Sequence, residues 1–187
     1  MTKRELEDII AEEKMMYVKS NYSFHRFVRQ RRYVIWKYLS CFRRAQYYKE
    51  QLAAAHGFHK LIMKLALRFS LRKKNILSER CAVEITNNST IGRRLNIWHG
   101  GVVICGNLGD DVAVRGNSVI GNKELINSAG IPTVGNGVEI GFGAAVIGSI
   151  TIAERCIIGA NAVVTKSFLK PGTVIVGVPG KALEKGE

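Results

Sequence analysis

The apolar positions of the chain change period near its middle. Thr2-x-x-Glu5 has the form of a capping box, ahead of a predicted helix that runs to about Val18. Asn21-Tyr22-Ser23 interrupts that pattern, and Ser23 is placed to cap a second helix. From Phe24 onward, Phe27, Val28, Val34, Ile35, Tyr38, Leu39 and Phe42 recur at spacings of three, four and seven, the stripe of an amphipathic helix. A third helix is predicted from about Phe58 to Arg72.

Beyond these helices the period is six. Ile85, Ile91 and Ile97 form one series, which resets by one residue to Val102, Leu108, Val114 and Ile120. After a break the series resumes as Val134, Ile140, Val146, Ile152, Ile158 and Val164, with a compact residue two places before each. Six is the period of short strands joined by turns, with the aliphatic residue pointing into a narrow prism. Three strands make one coil of about eighteen residues, so residues that far apart stack in ladders. Gly and Asn at the corners supply tight or positive-φ turns. Residues 122–131 break the hexad and are expected to form a loop expelled from the coil, a common place for function.

Composition sharpens this division. Residues 1–80 hold nineteen Lys/Arg against seven Asp/Glu, a balance of +12 out of the chain's +13. Twelve of the fifteen aromatics precede position 81, and eighteen of the nineteen glycines follow position 90. The expected organisation is a basic α-helical region at 1–80, a repeat domain at 81–182 and a short tail at 183–187.

The charged start, Met-Thr-Lys-Arg-Glu-Leu-Glu-Asp, lacks the apolar core of a signal peptide. No apolar run approaches the ~18 residues of a membrane span; Leu61–Phe69 is cut by Lys64 and Arg68. Cys41, Cys81, Cys105 and Cys156 have no CxxC spacing, so neither a disulfide framework nor a zinc ribbon is expected, and a reducing cytoplasm is the expected compartment. Three readings compete for the basic helices. They are a solvated face that also packs or oligomerises, a contact with the anionic inner face of a membrane or with a polyanionic substrate, and nucleic-acid binding. The last lacks any recognition motif and is not expected.

The hexad pattern resembles the left-handed parallel β-helix of the hexapeptide-repeat acyltransferases, a mainly β fold. Gly159-Ala-Asn-Ala-Val-Val-Thr-Lys166 and Gly177-Val-Pro-Gly-Lys181 are similar to that superfamily's C-terminal signature. Ile91-Gly92-Arg93-Arg94 and Ile97-Trp98-His99-Gly100, leading into Val102-Val103-Ile104, resemble two groups within it. One is the serine acetyltransferases. The other is the O-acetyltransferases of bacterial capsule and exopolysaccharide synthesis, including the colanic-acid type, and Tyr22-Ser23-Phe24-His25-Arg26 with the basic helices looks more like this second group.

His99 is the single imidazole of the repeat domain. Acetyl transfer to a hydroxyl needs a base near neutrality, which imidazole supplies. Such a base also needs an acceptor to orient its other nitrogen. Counting faces from Ile85 places Glu84 just before the first face and His99 just after the third, at a shared corner on adjacent coils. In the resembling families a carboxylate at this offset pairs with the histidine. The resemblance further implies an oxyanion contact from backbone at Gly121. It implies acetyl-CoA as co-substrate, lying along Phe142 and Ala160 in a groove between subunits, and hence a homotrimer. Phe142 departs from the small residue usual there. Lys166 and Lys181 are candidates for the CoA phosphates. Asn117 or Gly116 lies about one coil above His99, and Asn117 is a candidate acceptor contact.

The acceptor remains to be chosen. The serine acetyltransferases carry Asp before the catalytic His and an Arg-His pair at the end of the expelled loop; here Trp98 and Gly130-Ile131 stand in those places. Charge-assisted pairs are the strong ones, and these are missing. Trp98 instead offers a flat apolar face suited to a sugar ring. The expectation is therefore a glycan hydroxyl as acceptor, in capsule or exopolysaccharide synthesis, with serine as the alternative. A catalytically inactive β-helix scaffold is a third reading. A β-helical carbonic anhydrase would need three histidines around zinc, so no metal is expected. A sugar nucleotidyltransferase would need a Gly-rich nucleotide domain that residues 1–80 cannot supply.

Overall fold

The computed structural model describes residues 1–18, 31–123 and 130–183. It divides into two compact units, Met1–Ala82 and Val83–Glu187.

The first unit is helical. α1 (Lys3–Tyr17) opens on the capping box: the Glu5 amide donates to Thr2 Oγ1 (3.2 Å) and the Thr2 amide to Glu5 Oε2 (2.6 Å). The described part of the second helix is α2 (Arg31–Ala54), which packs against both its neighbours. Its predicted beginning at Phe24, the Ser23 cap and the stretch Tyr22–Arg26 lie outside the described residues. Ile35, Tyr38, Leu39 and Phe42 are fully buried, as their spacing predicts. Each such side chain contributes about 1.5–3 kcal/mol relative to exposure. Trp36 Nε1 donates to the Ile10 carbonyl (3.3 Å), which fixes α1 on α2. Arg43 donates through both Nε and Nη2 to Glu13 Oε1 (3.1 and 2.6 Å), and both side chains are buried. Burial pushes the Glu13 carboxyl up, against the pull of Arg43.

α3 (Gly57–Cys81) runs nine residues beyond the predicted end at Arg72. No Gly or Pro interrupts residues 73–81, and the chain leaves the helix only at Ala82, which takes the left-handed conformation (φ 53°). The two sides of α3 differ in exposure. Ser70, Lys74 and Cys81 mark the buried one, whereas Phe58, Leu61, Ile62, Leu65, Phe69 and Ile76 stand 43–77% exposed on the other.

The second unit is a coil of short parallel strands on three faces. Face A carries β1 (Val83–Ile85), β3 (Val102–Ile104), β6 (Val119–Gly121), β9 (Ala145–Ile147) and β12 (Val163–Val164). Face B carries β4 (Asn107–Leu108), β7 (Thr133–Val134) and β10 (Thr151–Ile152), extended by a bridge from Ile91 to Leu108. Face C carries β2 (Asn96–Ile97), β5 (Ala113–Val114), β8 (Glu139–Ile140), β11 (Ile157–Ile158) and β13 (Val174–Val176), and closes with the antiparallel β14 (Lys181–Ala182). This is the left-handed β-helix that the hexad predicts. All thirteen hexad residues are buried, in columns such as Ile97–Val114–Ile140–Ile158–Ile175.

One detail of the register differs from the sequence count. The face A partner of Ile85 and Ile120 is Ile104, while Val102 pairs with Val83. The corner from face C to face A after Ile97 therefore spans seven residues, where the corners above it (Val114–Ile120, Ile140–Val146, Ile158–Val164) span six. The next corner, Ile104 to Leu108, is two residues short and restores the register. Between β6 and β7 the chain leaves the coil, as predicted for 122–131, of which 124–129 lie outside the described residues. The ladder closes over that exit: Leu108 pairs with Val134 and Ile120 with Val146.

Candidate active site

The lengthened corner is the one that holds His99. Extra residues that swell a corner are over-represented beside active sites, because they re-aim a side chain. The Trp98 amide donates to the Val114 carbonyl (3.1 Å) and ties the corner's first residue into face C. Gly101 then takes φ +78°, and Asn117 above it takes φ 57°. The Asn117 Oδ1 lies over the Gly101 Cα, where a side chain at 101 would collide with it. The same arrangement recurs two storeys higher, with Asn161 over Gly143. Asn117 is thus a corner-turning residue, and the residue stacked on His99 is Gly116, which resolves the choice between the two.

His99 and Trp98 are both exposed at this corner. Phe142 and Ala160 continue the stack above them. The Phe142 ring reaches down to Gly116, and the Asn161 amide donates to the Phe142 carbonyl (2.8 Å). A groove of about 260 Å³ opens on this side of face C, lined by Phe142, Ala160, Ile157, Gly141, Gly159, Arg115 and Glu139 among others. Two of these, Arg115 and Glu139, escaped the sequence reading. Their signal was their place: Arg115 directly follows the hexad residue Val114, as Trp98 follows Ile97, and Glu139 directly precedes Ile140.

Glu84 lies at the centre of β1 on face A, inside the face rather than before it, and points to solvent. It pairs with Val103, four residues past His99 on the next coil. No hydrogen bond joins the carboxylate to the imidazole in this structure, and the shared corner expected from the face count is not what the register shows.

The remaining candidates are dispersed. Gly121 ends β6 at the opposite edge of face A, where the chain turns toward face B. A Cβ at Gly121 would meet nothing within 4 Å, although the residue is buried and its carbonyl accepts from the Gly148 amide (2.9 Å). Lys166 follows β12 at that same far edge, its Nζ 5.5 Å from the Phe168 ring centroid. Lys181 is exposed on the outermost strand of face C. A single chain therefore brings together Trp98, His99, Gly116, Phe142 and Ala160, but not Gly121 or Lys166. Cys156 is buried, with Sγ 3.5 Å from the Lys170 carbonyl, which removes it from consideration as a nucleophile. Among the described residues no group of His, Cys, Asp and Glu is disposed to hold a metal.

A β-helix with one imidazole at a swollen corner and a groove on the coils above it defines the class: an acyltransferase domain of the hexapeptide-repeat type. The family pattern described as bacterial transferase hexapeptide (six repeats) matches residues 131–166. The chain is 40% identical over 108 residues to a serine acetyltransferase of Mycobacterium tuberculosis, covering 56% of this chain and 47% of that one. It is 34% identical over 134 residues to a serine acetyltransferase of Helicobacter pylori, covering 70% and 76%. It is 37% identical over 135 residues to WcaB of Escherichia coli K12, an acetyltransferase assigned to colanic acid biosynthesis, covering 62% and 76%. Among solved structures, the serine acetyltransferase of Neisseria gonorrhoeae superposes with a TM-score of 0.71 at 21% identity, over 98% of this chain and 68% of that one. The chain belongs to the hexapeptide-repeat acyltransferase family. It spans under half the length of the M. tuberculosis relative and about three quarters of the H. pylori one.

These relationships correct the expected acceptor. The glycan reading rested on Trp98 and on missing counter-charges, and the relatives favour the serine acetyltransferases instead. An exposed aromatic is not by itself a sugar platform, and the place of Trp98 at the corner is set by its backbone hydrogen bond into face C. Charge is also present in the coils above, in Arg115 and Glu139 of the groove.

Proposed function

We propose that the protein is an acetyl-CoA-dependent serine O-acetyltransferase that acts as a cytoplasmic homotrimer. What supports this most is the 34% identity with the H. pylori serine acetyltransferase, sustained over 76% of that enzyme. The groove fits the pantetheine arm of CoA, because it is narrow, exposes Phe142, Ile157 and Ala160, and offers backbone at Gly141 and Gly159. The thioester supplies an activated acetyl group. His99 removes the proton from the acceptor hydroxyl as its oxygen bonds to the acetyl carbon. Glu84 orients the imidazole and stabilises its protonated form. A Gly121 N–H donates to the oxygen on which negative charge develops. As the C–S bond breaks, His99 returns the proton to the departing sulfur, so that base and acid are one group. Trp98 walls the space beside His99, and Lys166 and Lys181 hold phosphates. Because Gly121 and His99 lie at opposite edges of face A, a neighbouring copy completes each site, which is the support for the trimer.

The test is a screen of acetyl-CoA consumption by the purified full chain against L-serine, simple sugars and acidic oligosaccharides. Free thiol release with L-serine, and O-acetylserine as product, is expected. Turnover confined to sugars, or none with any acceptor, overturns the proposal.

A second reading concerns the helical unit. The outer side of α3 exposes six large apolar residues, while Lys60, Lys64, Arg68, Arg72, Lys73 and Arg80 are also exposed on that helix, with Glu79 as the one exposed acidic residue. A second copy laid on this side would set cations against cations. An anionic lipid surface accepts both the apolar residues and the charge. No helix among the described residues is long and apolar enough to cross a membrane, so the contact is one of lying on the surface.

A further inference from the structure

Arg115 and Glu139 are the groove's only charged lining residues, and they carry opposite signs. Arg115 stands one coil above Trp98, since each directly follows a paired face C residue, Val114 and Ile97. The next residue, Gly116, rests on His99. The Arg115 side chain therefore starts one residue along and one coil up from the imidazole. Its backbone is fixed: the amide donates to the Ile140 carbonyl (3.0 Å) and the carbonyl accepts from Ser118 Oγ (2.8 Å). Its guanidinium is not held in the same way. The nearest carboxylate is Glu139 at 3.8 Å, beyond hydrogen-bond reach, and the two side chains are 59% and 52% exposed. An ion pair so loose and so wet contributes little to stability. Both groups keep their hydrogen-bonding capacity for something else.

The spacing suits a zwitterion. In an α-amino acid a carboxylate and an ammonium share one carbon, and a guanidinium with a carboxylate about 4 Å away can engage both at once. Arg recognises carboxylates through its planar fork, which gives orientation as well as energy. Arg115 starts one coil and Glu139 two coils above the His99 corner, so a serine held between them, its hydroxyl one methylene from the carbon that bears both charges, extends that oxygen down toward His99. We propose that Arg115 and Glu139 are the acceptor-recognition pair, Arg115 taking the α-carboxylate and Glu139 the α-ammonium. This rests on the serine reading above and adds to it the residues that select the acceptor.

The experiment uses the purified full chain with acetyl-CoA and three acceptors: L-serine, serinamide, which lacks the carboxylate, and 3-hydroxypropionate, which lacks the ammonium. Arg115→Gln is expected to raise the KM for L-serine about tenfold to a hundredfold, the weight of one charge-assisted contact, with the KM for acetyl-CoA moved less than about twofold. On serinamide the variant and the wild type should converge. Glu139→Gln should show the mirror pattern, converging with the wild type on 3-hydroxypropionate. The charge-swapped pair R115E/E139R should keep the fold yet fail to recover L-serine. Circular dichroism and oligomer size report folding, and if Arg115→Gln fails to fold, the wild type alone decides by its preference for serine over both analogues. A wild type inert toward serine removes the serine reading and this pair with it. A wild type active on serine, with Arg115→Gln shifting the KM for acetyl-CoA instead, overturns the pair alone and assigns it to the cofactor.

Discussion

Gly116 lies on His99 so closely that a methyl group at position 116 would fall 2.7 Å from His99 Cβ and 3.1 Å from the Phe142 ring. The Gly100 carbonyl would lie 3.0 Å away as well, and because Cβ moves only with its backbone the corner itself must shift. Gly116→Ala is therefore expected to displace the corner that carries His99. A shift of about 1 Å in a catalytic group can cost on the order of a hundredfold in rate. Steady-state kinetics beside an unchanged circular dichroism spectrum would check this; an unaltered kcat would show that His99 is not where the chemistry occurs.

His99→Ala should lower acetyl transfer by about 10²–10⁴-fold, the range for loss of a general base. The side chain is exposed and packs into no core, so the melting temperature should hold. Glu84→Gln should cost less, because it acts through His99 and keeps the shape of the side chain. It should also change the pH profile of kcat/KM, which a merely structural glutamate would leave alone.

The Glu13–Arg43 pair predicts an asymmetry in the stability of the helical unit. Glu13→Ala leaves Arg43 charged and buried, at a cost of about 3–5 kcal/mol. Replacing both, Glu13→Leu with Arg43→Met, removes the charges together and should cost clearly less, as read from denaturant midpoints. The pH dependence has a definite sign. Burial holds the Glu13 proton to higher pH in the folded state than in the unfolded chain. Its contribution favours folding below the ordinary carboxyl pKa and is lost as pH rises from that value through the folded one. The Glu13→Leu/Arg43→Met chain should therefore lose less stability than the wild type across that rise.

Phe58→Ser/Leu65→Ser/Phe69→Ser on the outer side of α3 should abolish co-sedimentation with anionic vesicles and leave acetyl transfer intact. Wild-type protein that stays in the supernatant with phosphatidylserine vesicles removes the membrane reading.

The sequence declared the coil more fully than it declared the site. Thirteen inward aliphatics at period six are a signal that few folds share, and every one is buried. The same count misplaced one rung. Val102 follows the hexad by number, but Ile104 occupies the ladder, because the His99 corner gained a residue and the next corner gave up two. A repeat count sees only the sum of such changes. His99 and Phe142 could be nominated from motif and stacking, whereas Arg115 and Glu139 could not. Exposed charges on a solvated face carry no periodic signature, and only the groove shows that they share one. The end of α3 expected near Arg72 falls at the polar run Arg72–Lys73–Lys74, yet Lys74 lies buried and the helix continues to Cys81.

The exit between Gly121 and Ile131 leaves the rungs on either side of it in register, Leu108 with Val134 and Ile120 with Val146. The coil thus does not count how many residues leave it there. Insertions, deletions or a grafted segment at this gap should be absorbed without cost to the scaffold. Selection, or an engineer, can rewrite ten residues here while the thirteen that hold the prism stay as they are.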